Sequence, residues 1–305
     1  MSKSRMWLLY LCMALATDGL ALLLSFCIWR GGYGLALALL PLALVLCGRL
    51  VFVARSFRSA ARLRPLALAA AYPQTLAERR RSFLREFLAM WRMFGVSMPL
   101  PGCLRRNGAG LPVLFVHGFI CNGAVWRPLM RWLSRASGAP LRAISLYPVL
   151  GNINDYAAQL DREIEDFCRT TGAAQVMLVG HSMGGLVIRR YLHGHGAARV
   201  RRIVTLGSPH QGVYVPTDMA RRGANLGQMK WRSAWLTELN AHQAQDCPVP
   251  ILSLWSPHDN VCSPQDTSRL AYPNARERVL PGEGHDTLLY SQPVWDIVLE
   301  EWRAA

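Results

Sequence analysis

One stretch constrains this chain more than any other: Gln175 to Tyr191, which reads QVMLVGHSMGGLVIRRY. Val176, Met177, Leu178 and Val179 form the short apolar run that a strand buried on both faces needs. The run stops at Gly180-His181-Ser182-Met183-Gly184, and Leu186, Val187 and Tyr191 then take up helical spacing. Strand, G-x-S-x-G and helix in succession predict a nucleophile elbow, a turn so sharp that its serine is held in a strained backbone conformation. Gly180 and Gly184 flank Ser182 because side chains there would collide with the neighbouring strand and helix. The hydroxyl is expected at the carboxyl edge of a sheet. The helix start beyond it offers backbone N–H groups to an anion.

The rest of the C-terminal two thirds supplies such a sheet. Residues 112–116, 141–146, 176–179, 200–206, 251–255 and 278–280 read as strands, and 124–136, 154–170, 183–193 and 292–302 as helices. Repeated strand–helix units imply an α/β architecture, a mostly parallel sheet with helices on both faces.

A serine needs a base to take its proton and a third group to orient that base. In an elbow-type sheet the partners follow in the order Ser, Asp/Glu, His, each in a loop after a strand. Asp259 in SPHDN follows the strand ending at Trp255, with Asp266 as the fallback deeper in the loop. His285 in PGEGH follows the last strand, and it alone of the eight histidines comes after Asp259. The oxyanion of a tetrahedral intermediate needs two donors. Met183 N–H is the first expected, and Phe119 N–H, in the His117-Gly118 turn after an early strand, the second. Ile120 is the neighbour to be told apart from Phe119, and also a candidate substrate contact.

The net charge of +15 is concentrated. Residues 1–106 carry 15 Lys/Arg against 3 Asp/Glu, and the remainder 19 against 16. The basic third is also very apolar, which points to a membrane and its anionic lipids and away from nucleic acid. Residues 6–29 and 34–54 are each long enough for a span, so 1–64 reads as a two-helix transmembrane hairpin turning at Arg30–Gly34. Lys3 and Arg5 before it and Arg55, Arg58, Arg62 and Arg64 after it place both ends in the cytoplasm by the positive-inside rule. The competing reading is a signal peptide, with Trp7–Met13 as its apolar core and cleavage near Ala14–Ala16, which would export the protein. Asp18 and Arg49, at similar depths, either pair or are separately accommodated at the membrane interface and by protonation. Residues 65–95 read as a basic amphipathic helix lying on the membrane surface, or packed on the hairpin or catalytic domain. Residues 97–110 read as a linker. The eight cysteines lack metal-site spacing and are expected to be free thiols.

Together VLFVHGF, VGHSMGG, TLGSPHQG (205–212), SPHDNVCSP and GEGHDTLL resemble bacterial lipases and esterases of the α/β-hydrolase superfamily. The resemblance covers 107–305 and implies that fold, cleavage of carboxylic esters through an acyl-enzyme, and no cofactor. It implies a cap or lid at 213–240, in which Val213, Tyr214, Leu226, Met229 and Trp231 would contact acyl chains. Some secreted relatives bind calcium near the histidine loop; no matching acidic pair maps here, so no metal is expected. With the anchor, the resemblance implies a lipid or acyl-ester substrate at a bacterial inner membrane. A thioesterase or acyltransferase with the same triad, or a non-catalytic lipid-binding scaffold, are the other readings.

Overall fold

Seven strands form a single sheet in the order β1-β3-β2-β4-β5-β6-β7, parallel throughout except for β1 at one edge. They are β1 (Arg105–Arg106), β2 (Val113–Val116), β3 (Leu141–Ala143), β4 (Val176–His181), β5 (Val200–Leu206), β6 (Ile251–Trp255) and β7 (Arg276–Val279). The computed structural model describes residues 15–100, 104–215 and 217–305. The start of the signal-peptide reading, Lys3 to Met13, lies outside the described residues, as do Cys12 and Cys103.

β2, β4 and β6 are buried along their whole length, as strands sandwiched between helices must be. On one face lie α6 (Ile153–Thr171) and α7 (Met183–His195); on the other lie α5 (Arg127–Ser137) and α11 (Gln292–Arg303). The local signals set the helix ends. Asn152 caps α6 by accepting from Asn154 N at 2.8 Å, and left-handed Gly138 and Gly172 end α5 and α6. Short helices α8 (Thr217–Ala220), α9 (Ala224–Met229) and α10 (Ala234–Ala241) fill the connection between β5 and β6. The segment expected to be only a linker contributes β1, which pairs antiparallel with β3.

The N-terminal third is helical: α1 (Leu20–Arg30), α2 (Leu35–Leu63), α3 (Leu66–Ala71) and α4 (Leu76–Trp91). α1 and α2 lie against each other across Gly31–Gly34, and Arg49 Nη2 reaches Asp18 Oδ2 at 2.9 Å, so these two residues pair. Of the two expected spans, only α2 is long and apolar enough among the described residues, with a mean hydropathy of 2.4. α1 continues without a break from a π-helical turn at Leu15–Gly19, and residues 6–14 of the expected first span lie outside the described residues.

α4 starts at a capping box between Thr75 and Glu78. Its face does not lie wholly against a membrane surface. Phe83, Phe87 and Met90 pack on Leu50, Val53 and Phe57 of α2, while Leu84, Leu88 and Trp91 stay exposed. The expected helix over 65–95 is therefore broken at 72–75, and of the two placements open for it α4 takes packing against α2 and the sheet domain.

Candidate active site

β4 runs into α7 through Ser182, whose φ of +54° and ψ of −124° place a non-glycine residue in a region that side chains disfavour. The surroundings enforce it. A Cβ on Gly184 would lie 2.3 Å from Val116 O, and one on Gly180 would lie 2.7 Å from Ile188 Cδ1. The first obstacle is backbone and cannot swing away. Ser182 N also donates to Leu206 O at 2.9 Å, tying the elbow to β5.

The loop after β6 brings in Asp259, which is 1% exposed. Its Oδ1 accepts from Val261 N at 2.7 Å and Cys262 N at 2.8 Å, leaving Oδ2 aimed at His285 Nδ1, 2.8 Å away. Asp266, the fallback, is exposed on the turn Gln265–Ser268. His285 follows β7 and is itself buried. Burial is the largest single influence and lowers its pKa, but Asp259 and Cys262 together outweigh it and hold the imidazole well above the ordinary histidine range. The His181 ring lies 4.6 Å from that of His285, and its Nε2 is 3.1 Å from His285 O. Burial, then His285, push His181 far down, so it is neutral. The structure thus joins Asp259 to His285 directly. Ser182 reaches their neighbourhood through His181, with no Ser182–His285 hydrogen bond among the described residues. Such bonds are often long before substrate binds.

The turn after β2 lies directly against the serine, since a Cβ on Gly118 would be 2.9 Å from Ser182 Cβ. His117 fixes that turn. Its Nε2 accepts from Leu146 N at 2.9 Å, which leaves Nδ1–H to donate to Gly118 O at 2.8 Å. Burial pushes its pKa to about 4, so it stays neutral and structural. Phe119 is partly buried, and Ile120 holds a φ of +52°, unusual for a β-branched residue. Met183 opens α7, where the first N–H groups have no intrahelical acceptor.

The candidate acyl contacts separate. Met229 is buried in the core, with Val213 and Leu226 packed beside it. Val213 is fastened by bonds to Met229 O and from Trp231 N at 2.9 and 2.8 Å. Tyr214 and Trp231 are 62% and 43% exposed, the latter beneath the Arg232 guanidinium. In this geometry the two aromatics face outward. The cap still touches the elbow, because Asn225 Nδ2 lies 3.7 Å from Met183 Sδ.

Sequence reasoning missed Glu86. It sits in the apolar stripe of α4, is 1% exposed, and its carboxyl accepts from Asp286 N at 3.0 and 3.1 Å and from Thr287 N at 3.0 Å. A Cβ on Gly284 would lie 2.4 Å from Glu86 Oε2, so the histidine loop closes around this carboxyl. Burial, then Asp286, raise the Glu86 pKa well above the usual carboxylate range. Beside it Arg85 Nη2 donates to both oxygens of Glu283 at 2.9 and 2.8 Å, and Asn260 Oδ1 accepts from His285 N at 3.0 Å. A glutamate within an apolar stripe was the only signal of this. As for metals, Asp259, Cys262 and His285 offer ligand atoms within 4.8 Å of one another, a spacing that their Asp–His hydrogen bond already uses.

The sequence model of the palmitoyl protein thioesterase family matches residues 112–247. A non-heme chloroperoxidase from Kitasatospora aureofaciens is 30% identical over 122 residues, 36% of this chain and 44% of that protein. A triacylglycerol lipase from Pseudarthrobacter phenanthrenivorans is 27% identical over 110 residues, 33% of this chain and 34% of the lipase. The chain thus spans less than half the length of either relative. In structure it is similar to Aspergillus fumigatus lipase B, with a TM-score of 0.56 at 14% identity over 66% of this chain and 56% of that one. The α/β-hydrolase fold and superfamily account for all of these likenesses.

Proposed function

We propose that the chain is a membrane-held serine hydrolase that cleaves carboxylic esters of lipids. One observation carries the reading: a serine in a disfavoured backbone conformation, at a strand–helix junction, follows directly on His181, whose ring lies 4.6 Å from that of His285 in a buried Asp–His pair. Ser182 Oγ attacks the acyl carbonyl while His285 Nε2 takes its proton, and Asp259 holds Nδ1–H and stabilises the imidazolium. The N–H groups of Met183 and Phe119 meet the developing oxyanion. His285 returns the proton to the leaving alcohol, the acyl group stays on Ser182, and water activated by the same imidazole releases the acid. These steps call on no cofactor or metal.

The likeness to triacylglycerol lipases supports an oxygen ester as substrate. The match to palmitoyl protein thioesterases favours a second reading, long-chain thioesters, which the same residues would cleave. The anchor reading rests on α2, most of which is exposed and apolar. With residues 1–64 as anchor, 65–106 as connecting helices and 107–305 as the catalytic domain, the site would meet substrates that partition into a bilayer. Basic residues after α2 support a cytoplasmic face, and export is the alternative, decided by protease accessibility in sealed and inverted vesicles.

The test is hydrolysis of p-nitrophenyl acyl esters, acylglycerols and acyl-CoA by the detergent-solubilised chain and by Ser182→Ala. Cleavage by the parent and its loss in the variant are expected. Undiminished cleavage by Ser182→Ala would remove the assignment.

A further inference from the structure

A cavity of about 610 Å³ backs onto the triad at Asp259, between the end of α2, the α3–α4 break, the start of α4 and the loop carrying that aspartate. Four arginines line it: Arg58 and Arg64 from α2 and its C-terminal end, and Arg79 and Arg80 from α4. None of the four forms an ion pair with a carboxylate among the described residues. The one carboxylate in the wall is Asp259, already engaged by His285 and two backbone N–H groups. Such an accumulation of guanidinium groups repels itself, and Arg79 adds to burial in lowering the Arg64 pKa.

Arg64 shows the deficit atom by atom. Its Nη2 donates to Tyr72 O at 2.8 Å and Leu68 O at 3.3 Å, while its buried Nε has no partner. His258 does not help. Its Nδ1 accepts from Gly282 N at 2.8 Å, so in the neutral ring Nε2 carries the proton and donates to Tyr72 O at 3.1 Å. The Arg64 Nη2 that lies 3.2 Å from the same Nε2 therefore faces another donor. One buried donor without a partner and three further guanidinium groups around the same space suit an anion with several acceptor oxygens, and phosphate is the natural match. The other walls are apolar, from Phe57, Ala60, Ala61, Ala69 and Phe83.

Position agrees with this chemistry. The apolar run of α2, interrupted only by Arg49 in its pair with Asp18, ends at Ala54. The headgroup layer beyond a hydrocarbon core is about 5–7 Å deep on each side, or about four helical residues. That places Arg58 and the cavity mouth at the level of lipid phosphates if α2 crosses the bilayer as proposed above.

We propose that this cavity binds a phosphate-bearing anion at the junction of anchor and hydrolase, with the apolar wall against the body of a lipid headgroup or with free phosphate alone. The arginines of the site take no part in ester cleavage, although Asp259 is common to both walls, so binding rather than turnover tests it. The full chain in neutral detergent is titrated with dihexanoyl phosphatidylglycerol, inorganic phosphate and dioctanoylglycerol, reading the unfolding midpoint. Saturable stabilisation by the phospholipid, by phosphate or by both is expected, and which one acts identifies the source. Arg79→Gln/Arg80→Gln, changing exposed side chains, should weaken it at least tenfold. Arg55→Gln/Arg81→Gln, an equal loss of charge outside the cavity, should weaken it less than twofold. Hydrolysis of a soluble ester by the cavity variant should match the parent, which separates failure of this site from failure of the hydrolase reading. Absence of saturable binding, equal binding of dioctanoylglycerol, or equal loss in both double variants would overturn the proposal.

Discussion

The elbow and the histidine loop are two halves of one site, built on opposite plans. The elbow is self-contained: its strand, turn and helix are contiguous, and its strain is enforced by backbone within a few ångströms. The histidine loop is held from outside. Glu86, Arg85 and Ser82 of α4 bind Asp286, Thr287, Glu283 and Gly282, about two hundred residues away in the chain. The acid loop is held likewise, with Asn260 donating to Ser56 at 2.9 Å and Gln265 to Ala60 O at 3.3 Å. The proposed nucleophile therefore needs only the sheet, whereas the geometry of the proposed base and acid depends on the helices that precede it.

That contrast can be broken in order of expected effect. Ser182→Ala should lower kcat for ester hydrolysis by on the order of 10⁴-fold or more while leaving the unfolding midpoint nearly unchanged. Gly184→Ala sets a Cβ against Val116 O and should cost about 3 kcal/mol or more in chemical denaturation, with activity lost alongside. Glu86→Ala leaves the buried N–H groups of Asp286 and Thr287 without an acceptor, which costs about 1–3 kcal/mol each. A 1 Å drift of His285 would cost about 10²-fold in kcat. Fluorophosphonate labelling, which needs the serine and its base, should slow in parallel. If Glu86→Ala keeps full activity and stability, the histidine loop is as self-sufficient as the elbow and the contrast fails.

Acidity probes the loop more gently. His285 must be neutral to act as base, and Asp259 favours its charged form. Activity should therefore fall on acidification through a pKa above the ordinary histidine value of about 6.5. In Asp259→Asn the residual activity should keep its acid limb at lower pH. Smallest of all, Arg85→Ala removes a pair whose arginine is 43% exposed, so it should cost under about 1 kcal/mol and change kcat less than threefold.

What could be read from the chain follows the same division. The elbow was legible because five consecutive residues specify it, and Asp259 and His285 because each follows a strand in a fixed order. Glu86 was not, since no local pattern links position 86 to position 286. The direction of Tyr214 and Trp231 was equally hidden, because aromatic spacing in a cap does not tell an inner surface from an outer one. Asp18 and Arg49 were matched by depth alone, and the structure settles that choice in favour of a pair. For α4 the pattern left both a membrane surface and packing on the hairpin or catalytic domain open, for a physical reason. Its stripe is apolar enough for a bilayer surface, yet half of it finds Val53 and Phe57 of α2 instead.

The central claim, that Ser182 is a nucleophile activated within this fold, is tested most directly by covalent capture. The detergent-solubilised chain is treated with a fluorophosphonate and the adduct located by peptide mass spectrometry. One adduct per chain on Ser182, absent from Ser182→Ala and slowed in His285→Ala, is the predicted result. No adduct, or an adduct on another residue that survives Ser182→Ala, would contradict it.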